Sequence, residues 1–292
     1  MTTCICQDLL LISPELFLGF LALSLQLIGV IKKISKKTFC RIAVFGLVVT
    51  IYMLLSMPSV SSSAFGESYA VNYYTTLCKL LVMITTFCVV VFYIGHSKST
   101  ETALQSEYIV LILLSSLGSC IAISARDLIV LFVGLELMSL PSYVLAAFDR
   151  NSSKSSEAGL KYFVLGALSS CIMLFGMSML YGFADSTSYT VISKVLARSS
   201  NIGLIIGAVL LLSSILFKLS IAPFHVWTPD VYEGSPITSV SFFGGAMKIG
   251  AITVLINILF IMLPSMEPSL VLMLKILSIL SMVIGSVGAV MQ

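Results

Sequence analysis

Long apolar runs alternate with short polar connections along the whole chain. Nine runs approach membrane-spanning length, at about residues 14–31, 39–57, 71–94, 107–123, 128–148, 157–182, 202–224, 236–262 and 269–291. Each is near the ~20 residues that carry an α-helix across a bilayer. The pattern predicts an all-α polytopic membrane protein of about nine transmembrane helices. The connections are polar: a basic link, KKISKKTFCR, follows the first run, and a serine-rich loop, PSVSSSAFGES, follows the second. Pro223 interrupts the seventh run. It removes a backbone donor and clashes with the carbonyl of Leu219, so the seventh helix is expected to be discontinuous.

Composition agrees with this reading. Of 292 residues, 58% are hydrophobic and only 10% charged, against about 25% charged in soluble domains. Mean hydropathy is +1.09. The net charge of +3 brings no basic patch with interleaved aromatics, which excludes a nucleic-acid partner; lipids are the expected surroundings. The seven cysteines form no metal-ligand spacing and read as apolar filler. No basic region precedes the first run, so no cleaved leader is expected.

Lysine and arginine in the connections set the orientation. Connections after odd-numbered runs hold Lys32, Lys33, Lys36, Lys37, Arg41, Lys98, Arg150 and Lys154; those after even-numbered runs hold Arg126, Lys194 and Arg198. The odd connections are expected on the inner side, cytoplasm or organelle matrix. The N-terminus is then outside and the C-terminus inside.

The candidate chemistry is the set of ionisable residues within the runs. A charge near the bilayer centre costs about 2.5–3.5 kcal/mol on insertion scales and marks an ion or proton path by default. Glu136 sits in LFVGLELMSLPSY, Lys161 enters the sixth run, Lys218 lies deep in the seventh, and Lys248 is mid-run in the eighth. His225 follows the proline break in PFHVWTPD. These groups are expected to form a row at intermediate depth. A carboxylate and a lysine suit proton relay because each favours its charged form when paired, and an isolated lysine in apolar surroundings favours the neutral amine. A neutral imidazole passes a proton between its two nitrogens, or equally hydrogen-bonds a carbonyl exposed at the break. The plainer alternative stays open: a Glu–Lys pair that only locks two helices together, with Lys161 snorkelling to the interface. Lys79, early in the third run, is expected to snorkel likewise.

Three stretches carry a resemblance: RDLIVLFVGLELMSLPSYVLAAF, SSEAGLKYFVLGALSSCIMLFGMSMLYG and FKLSIAPFHVWTPDVYEGSP, followed by GGAMKIGA. The chain resembles the antiporter-like subunit N (subunit 2) family of proton-pumping NADH:quinone oxidoreductase, respiratory complex I. The motif PFHVWTPDVYEGSP sets it apart from the related subunits 4 and 5 and the cation/proton antiporters. The resemblance implies that Glu136, Lys161, Lys218, His225 and Lys248 are the proton-path residues. It implies an antiporter-like fold of about fourteen helices in two inverted repeats, of which this chain holds residues 1–105 as three leading helices, 106–262 as the first repeat, and 263–292 as the start of the second. It implies no cofactor in this chain, with NADH, FMN, iron–sulfur clusters and quinone held elsewhere in the complex. The expected partners are other membrane-arm subunits, among them subunits 4 and 4L, and a separate chain supplying the remaining helices. The expected location is the mitochondrial inner membrane, with the bacterial plasma membrane as alternative. A structural subunit without active pumping and an independent cation/proton antiporter stand as competing functions.

Overall fold

The computed structural model describes residues 2–31, 36–57, 61–96, 102–198, 201–264 and 267–291. Lys32, Lys33 and Lys98, three of the residues that set the orientation, lie outside the described residues. Among those described, nine helices are long and apolar enough to cross a membrane. A short helix α1 (Thr2–Leu11) precedes α2 (Ser13–Ile31) and α3 (Lys36–Leu55). A two-stranded hairpin follows, β1 (Ser62–Ala64) and β2 (Tyr69–Val71), antiparallel with Ser63 opposite Ala70. Then come α4 (Tyr73–His96), α5 (Thr102–Ser124), α6 (Leu128–Ala146) and α7 (Ser153–Ala184). The amphipathic α8 (Tyr189–Arg198) is too short to span, and turns Tyr189, Ile192 and Leu196 inward. The chain closes with α9 (Ile202–Leu219), α10 (Thr228–Gly234), a long span Ile237–Met262, and α13 (Glu267–Met291).

All nine expected spans are present, with three differences in detail. The sixth is a 32-residue helix beginning at Ser153. At 1.5 Å per residue it is about 48 Å long, well beyond a hydrocarbon core of about 30 Å, so its first turns project past the apolar layer. The seventh stops at Leu219, five residues before the expected 224. The eighth is not uniform: α11 (Ile237–Phe242) and α12 (Lys248–Asn257) are separated by one π-turn, Phe243–Met247, and followed by another, Ile258–Met262. Such turns recur at functional sites because they re-aim the residues that follow; here the residue that follows the first is Lys248.

Close helix pairing rests on small residues, since lipid tails leave little hydrophobic drive between helices. A Cβ added at Gly118 of α5 would lie 2.3 Å from the backbone nitrogen of Met138, and one at Gly134 of α6 would lie 2.7 Å from that of Ala122. Gly176 of α7 and Gly207 of α9 abut in the same way: a Cβ added at either would lie within 3 Å of the other's carbonyl oxygen. One apolar core runs continuously from Leu18 of α2 to Leu270 of α13. On the far side of the bundle from α10, the hairpin is woven to neighbouring loops. Arg126 N–H donates to the Ser68 carbonyl at 2.9 Å, Leu128 N–H to the Thr187 carbonyl at 3.0 Å, and the Thr187 hydroxyl to the Asp127 carboxylate.

The packing predicts that Gly118→Leu and Gly176→Leu each lower the thermal unfolding temperature in detergent, at a cost of about 1–3 kcal/mol for overpacking or more where backbone must move. Gly182→Leu, where an added Cβ meets nothing within 4 Å, is expected to leave it unchanged.

Candidate functional site

The site is built on the break after α9. Ser220 adopts a left-handed conformation (φ 59°, ψ 36°) and ends the helix, its N–H reaching back to the Leu216 and Phe217 carbonyls. A helix end leaves its last carbonyls without intrahelical donors, and at this depth each needs another partner. Phe217 O accepts Trp227 Nε1–H at 3.1 Å. Lys218 O accepts Lys248 Nζ at 3.3 Å. Lys248 also donates to Ser220 Oγ at 2.6 Å and lies 5.6 Å from the Trp227 ring centroid. Trp227 is stacked on Tyr162 at 4.5 Å between centroids, with an interplanar angle of 5°.

The Lys218 side chain turns the other way, toward α6. Its Nζ donates to Ser139 Oγ at 2.5 Å and lies 3.9 Å from Glu136 Oε1. The same carboxylate oxygen accepts a hydrogen bond from Ser170 at 2.6 Å. Lys218 is 7% exposed and Glu136 19%. The two charges are therefore within attraction but not in direct hydrogen bond: each is held by a serine hydroxyl. Small motions of either side chain exchange a serine partner for an ionic one. The backbone of Lys218 and its ammonium thus face two different partners, Lys248 and Glu136, across a single residue.

His225 lies within the turn after the break, with its Nδ1 buried and without a hydrogen-bond partner among the described residues. Lys161 is not part of the row expected at intermediate depth. It is 41% exposed, at the projecting start of α7, and pairs with Glu157 at 2.7 Å and Asp230 at 2.5 Å. Lys154 and Glu233 pair beside it at 2.8 Å. These side chains line a cleft of about 130 Å³ at the α10 side of the bundle. Its link to the interior is the neighbouring residue, Tyr162, through Trp227.

Sequence reasoning missed Ser139, Ser170, Ser220 and Trp227. Their signal was faint: single hydroxyls inside apolar helices are common, and only the fold shows which face an ammonium. It also misplaced Lys79. Rather than snorkelling, this residue is buried in an ion pair with Glu15, 2.7 Å between Nζ and Oε1. The tell-tale was Glu15 itself, a carboxylate at the start of the first apolar run. Among the described residues no group of three His, Cys, Asp or Glu could hold a metal ion.

The transmembrane family described as NADH:quinone oxidoreductase/Mrp antiporter matches residues 125–292. The NADH-quinone oxidoreductase subunit N of Rickettsia bellii is 42% identical over 284 residues, covering 96% of this chain and 62% of the relative. That of Parvibaculum lavamentivorans is 40% identical over 283 residues, covering 96% and 58%. The chain thus spans about three fifths of the length of the curated relatives it matches. A chain of respiratory complex I from Thermus thermophilus, solved with bound aureothin, superposes with TM-score 0.71 and 31% identity, over 83% of this chain and 52% of that one. A chain of the archaeal membrane-bound sulfane sulfur reductase shares the fold, with TM-score 0.72, 20% identity and coverage of 85% and 52%.

Because a lone buried charge costs more than a compensated pair, Lys218→Met is expected to lower the unfolding temperature in detergent more than the Lys218→Met/Glu136→Gln double variant does. A double-mutant cycle on the purified chain measures the coupling; zero coupling would mean that the serines, not the pair, hold the two charges.

Proposed function

We propose, from the premise that this chain belongs to the NADH:quinone oxidoreductase/Mrp antiporter transmembrane family, that it is a membrane-arm subunit of a proton-pumping NADH:quinone oxidoreductase and contributes a proton-translocation half-channel. The observation that carries this reading is the pair Lys218 and Glu136, 3.9 Å apart at the end of a broken helix, with Lys248 on the Lys218 carbonyl. In this reading Lys218 alternates between Ser139 and Glu136. Engagement with Glu136 keeps the ammonium charged. Withdrawal leaves it in apolar surroundings, where the neutral amine is favoured and a proton is released. As a neutral amine Lys248 still donates two N–H groups to the broken end, and its lone pair takes up the proton lost from Lys218. His225, one turn beyond, exchanges protons through its free nitrogen. The Lys161–Asp230–Glu157 cleft is the water-facing entrance, passing protons inward past Tyr162 and Trp227.

The NADH, FMN, iron–sulfur clusters and quinone of the whole enzyme belong to other subunits in this reading, and the energy of quinone reduction reaches this chain as a shift in the Glu136–Lys218 distance. The partners are other subunits of the complex, subunits 4 and 4L among them. The division into 1–105, 106–262 and 263–292 is part of the same proposal. The membrane is an energy-coupling one, and the α10 side faces inward by the charge bias of the connections. The relatives are bacterial, which supports the bacterial plasma membrane over the mitochondrial inner membrane expected from the sequence. The antiporter named in the family's description favours a second reading, an independent cation/proton antiporter.

In liposomes holding the intact complex, Lys218→Met and Lys248→Met are each expected to cut protons translocated per quinone reduced several-fold. Unchanged pumping would reduce the chain to a structural subunit. Cation-driven proton exchange by the purified chain alone would establish the antiporter. A mass-spectrometric inventory of the complex identifies the partners, and absence of any quinone oxidoreductase subunit from it would overturn membership.

A further inference from the structure

A cavity of about 390 Å³ opens on the hairpin side of the bundle. Its wall is drawn from five places: the hairpin, Asn72 before α4, Arg126 between α5 and α6, Thr190 of α8, and Ile261 in the π-turn that ends the eighth span. Two polar atoms of these lining residues are buried and have no hydrogen-bond partner among the described residues, Ser62 Oγ and Arg126 Nη1. Buried polar groups nearly always find partners, so two orphans at one cavity point to a ligand that supplies acceptors.

The charge at this cavity also lacks a counter-ion. Arg126 is half-buried and forms no ion pair with a carboxylate among the described residues. The adjacent acid, Asp127, is taken up by the Thr187 hydroxyl and the Ile129 N–H. Burial lowers the guanidinium's hold on its proton, and the groups that offset this are the phenols of Tyr189 and Tyr74. A guanidinium nevertheless stays charged in a protein, so an anion entering beside it is favoured. Its backbone is fixed from both sides: the N–H donates to the Ser68 carbonyl at 2.9 Å, and the carbonyl accepts the Tyr189 N–H at 3.0 Å. A donor already held in place loses little freedom on binding, and the planar fork matches two oxygens of a phosphate. The other polar side chains of the wall are serine, threonine and asparagine, except Glu67, exposed at the hairpin turn. That carboxylate disfavours a bare anion and suits a phosphate that carries its own cation.

The setting is that of a bilayer interface. Helix α4 starts at Tyr73, α5 ends at Ser124, α6 starts at Leu128 and the eighth span ends at Met262, so four spans begin or end around the cavity. Tyr73, next to Asn72, is exposed, and tyrosine is enriched at the level of lipid headgroups. Phe260, next to Ile261, is exposed as well and offers apolar surface to an acyl chain.

We propose that this cavity binds the phosphoethanolamine headgroup of a phospholipid, with the phosphate on Arg126 and Ser62 and the ammonium on Glu67. The lipid ties the hairpin to the ends of the spans beside it. The site requires only that the chain spans a membrane, and stands apart from the proton-path reading.

The test uses the intact complex, stripped of lipid in detergent, and reads hydrogen–deuterium exchange of the amides of residues 61–72. Three probes are added separately: short-chain phosphatidylethanolamine, short-chain phosphatidylglycerol and inorganic phosphate. Phosphatidylethanolamine is expected to slow exchange several-fold, phosphatidylglycerol less, and inorganic phosphate not at all. Arg126→Gln is expected to abolish the slowing, and Glu67→Gln to erase the preference between the two lipids. Equal slowing by both lipids in the unaltered complex would overturn the assignment of the headgroup. Slowing by inorganic phosphate to the same extent would make this a free-anion site and overturn the lipid. No slowing by any probe, or slowing that survives Arg126→Gln, sinks the proposal. Should Arg126→Gln fail to assemble, Ser62→Ala decides: protection weakened several-fold supports the site, and unchanged protection overturns it.

Discussion

The carbonyls freed where α9 ends organise the interior of this bundle. Ending α9 at Ser220 frees backbone oxygens inside an apolar bundle, where each needs a donor from the protein. The structure answers with an ammonium: Lys248, brought in by a π-turn, lies on the Lys218 carbonyl and on Ser220 Oγ. The indole of Trp227 takes the neighbouring carbonyl of Phe217. The groups that repair the break are thus the same groups that could carry a proton through it. Removing Lys248 would leave the Lys218 carbonyl without its donor.

Around this point the helices come together through glycine, and polar contact between them comes mostly from serine and threonine. Gly118 and Gly134 let α5 and α6 touch backbone to backbone, which brings Ser115 to the Met138 carbonyl and sets Ser139 and Glu136 toward α9. Gly176 and Gly207 do the same for α7 and α9, which brings Ser169 against Ser214 at 2.8 Å and Ser170 onto Glu136. Close packing and polar satisfaction are therefore one feature here. Hydroxyls are the natural partners for groups that must change protonation, because each can donate or accept.

Charge falls into three tiers. The Lys161 cluster is exposed, on the α10 side. Lys218, Glu136 and Lys248 lie at depth, each with a neutral polar partner. Glu15 and Lys79 are sealed on the opposite side by a hairpin. Exposed pairs such as Lys154–Glu233 contribute little to stability. The sealed pair is the reverse case, with little water to weaken it and a single phenol between it and the surface.

The chain of apolar runs, read alone, determined the number and rough limits of the spans, because a bilayer demands about twenty apolar residues per crossing and leaves few other solutions. It also singled out three charges that the fold gathers around one break: Glu136, Lys218 and Lys248 were legible because an ionisable group in an apolar run has no cheap explanation. The place of the break was legible to within a few residues from Pro223, although the residue that ends the helix is Ser220. Only the tertiary structure decided which charge meets which. Lys161 and Lys79 each lie inside an apolar run, yet one is exposed near the start of a helix about 48 Å long, and the other is buried because a hairpin folds over it. Depth depends on how far a helix projects and on what covers its end, and neither is written in the residues of that helix. The serines that hold Lys218, Glu136 and Lys248 were invisible for the same reason: a hydroxyl in an apolar helix acquires its role from the helix packed against it.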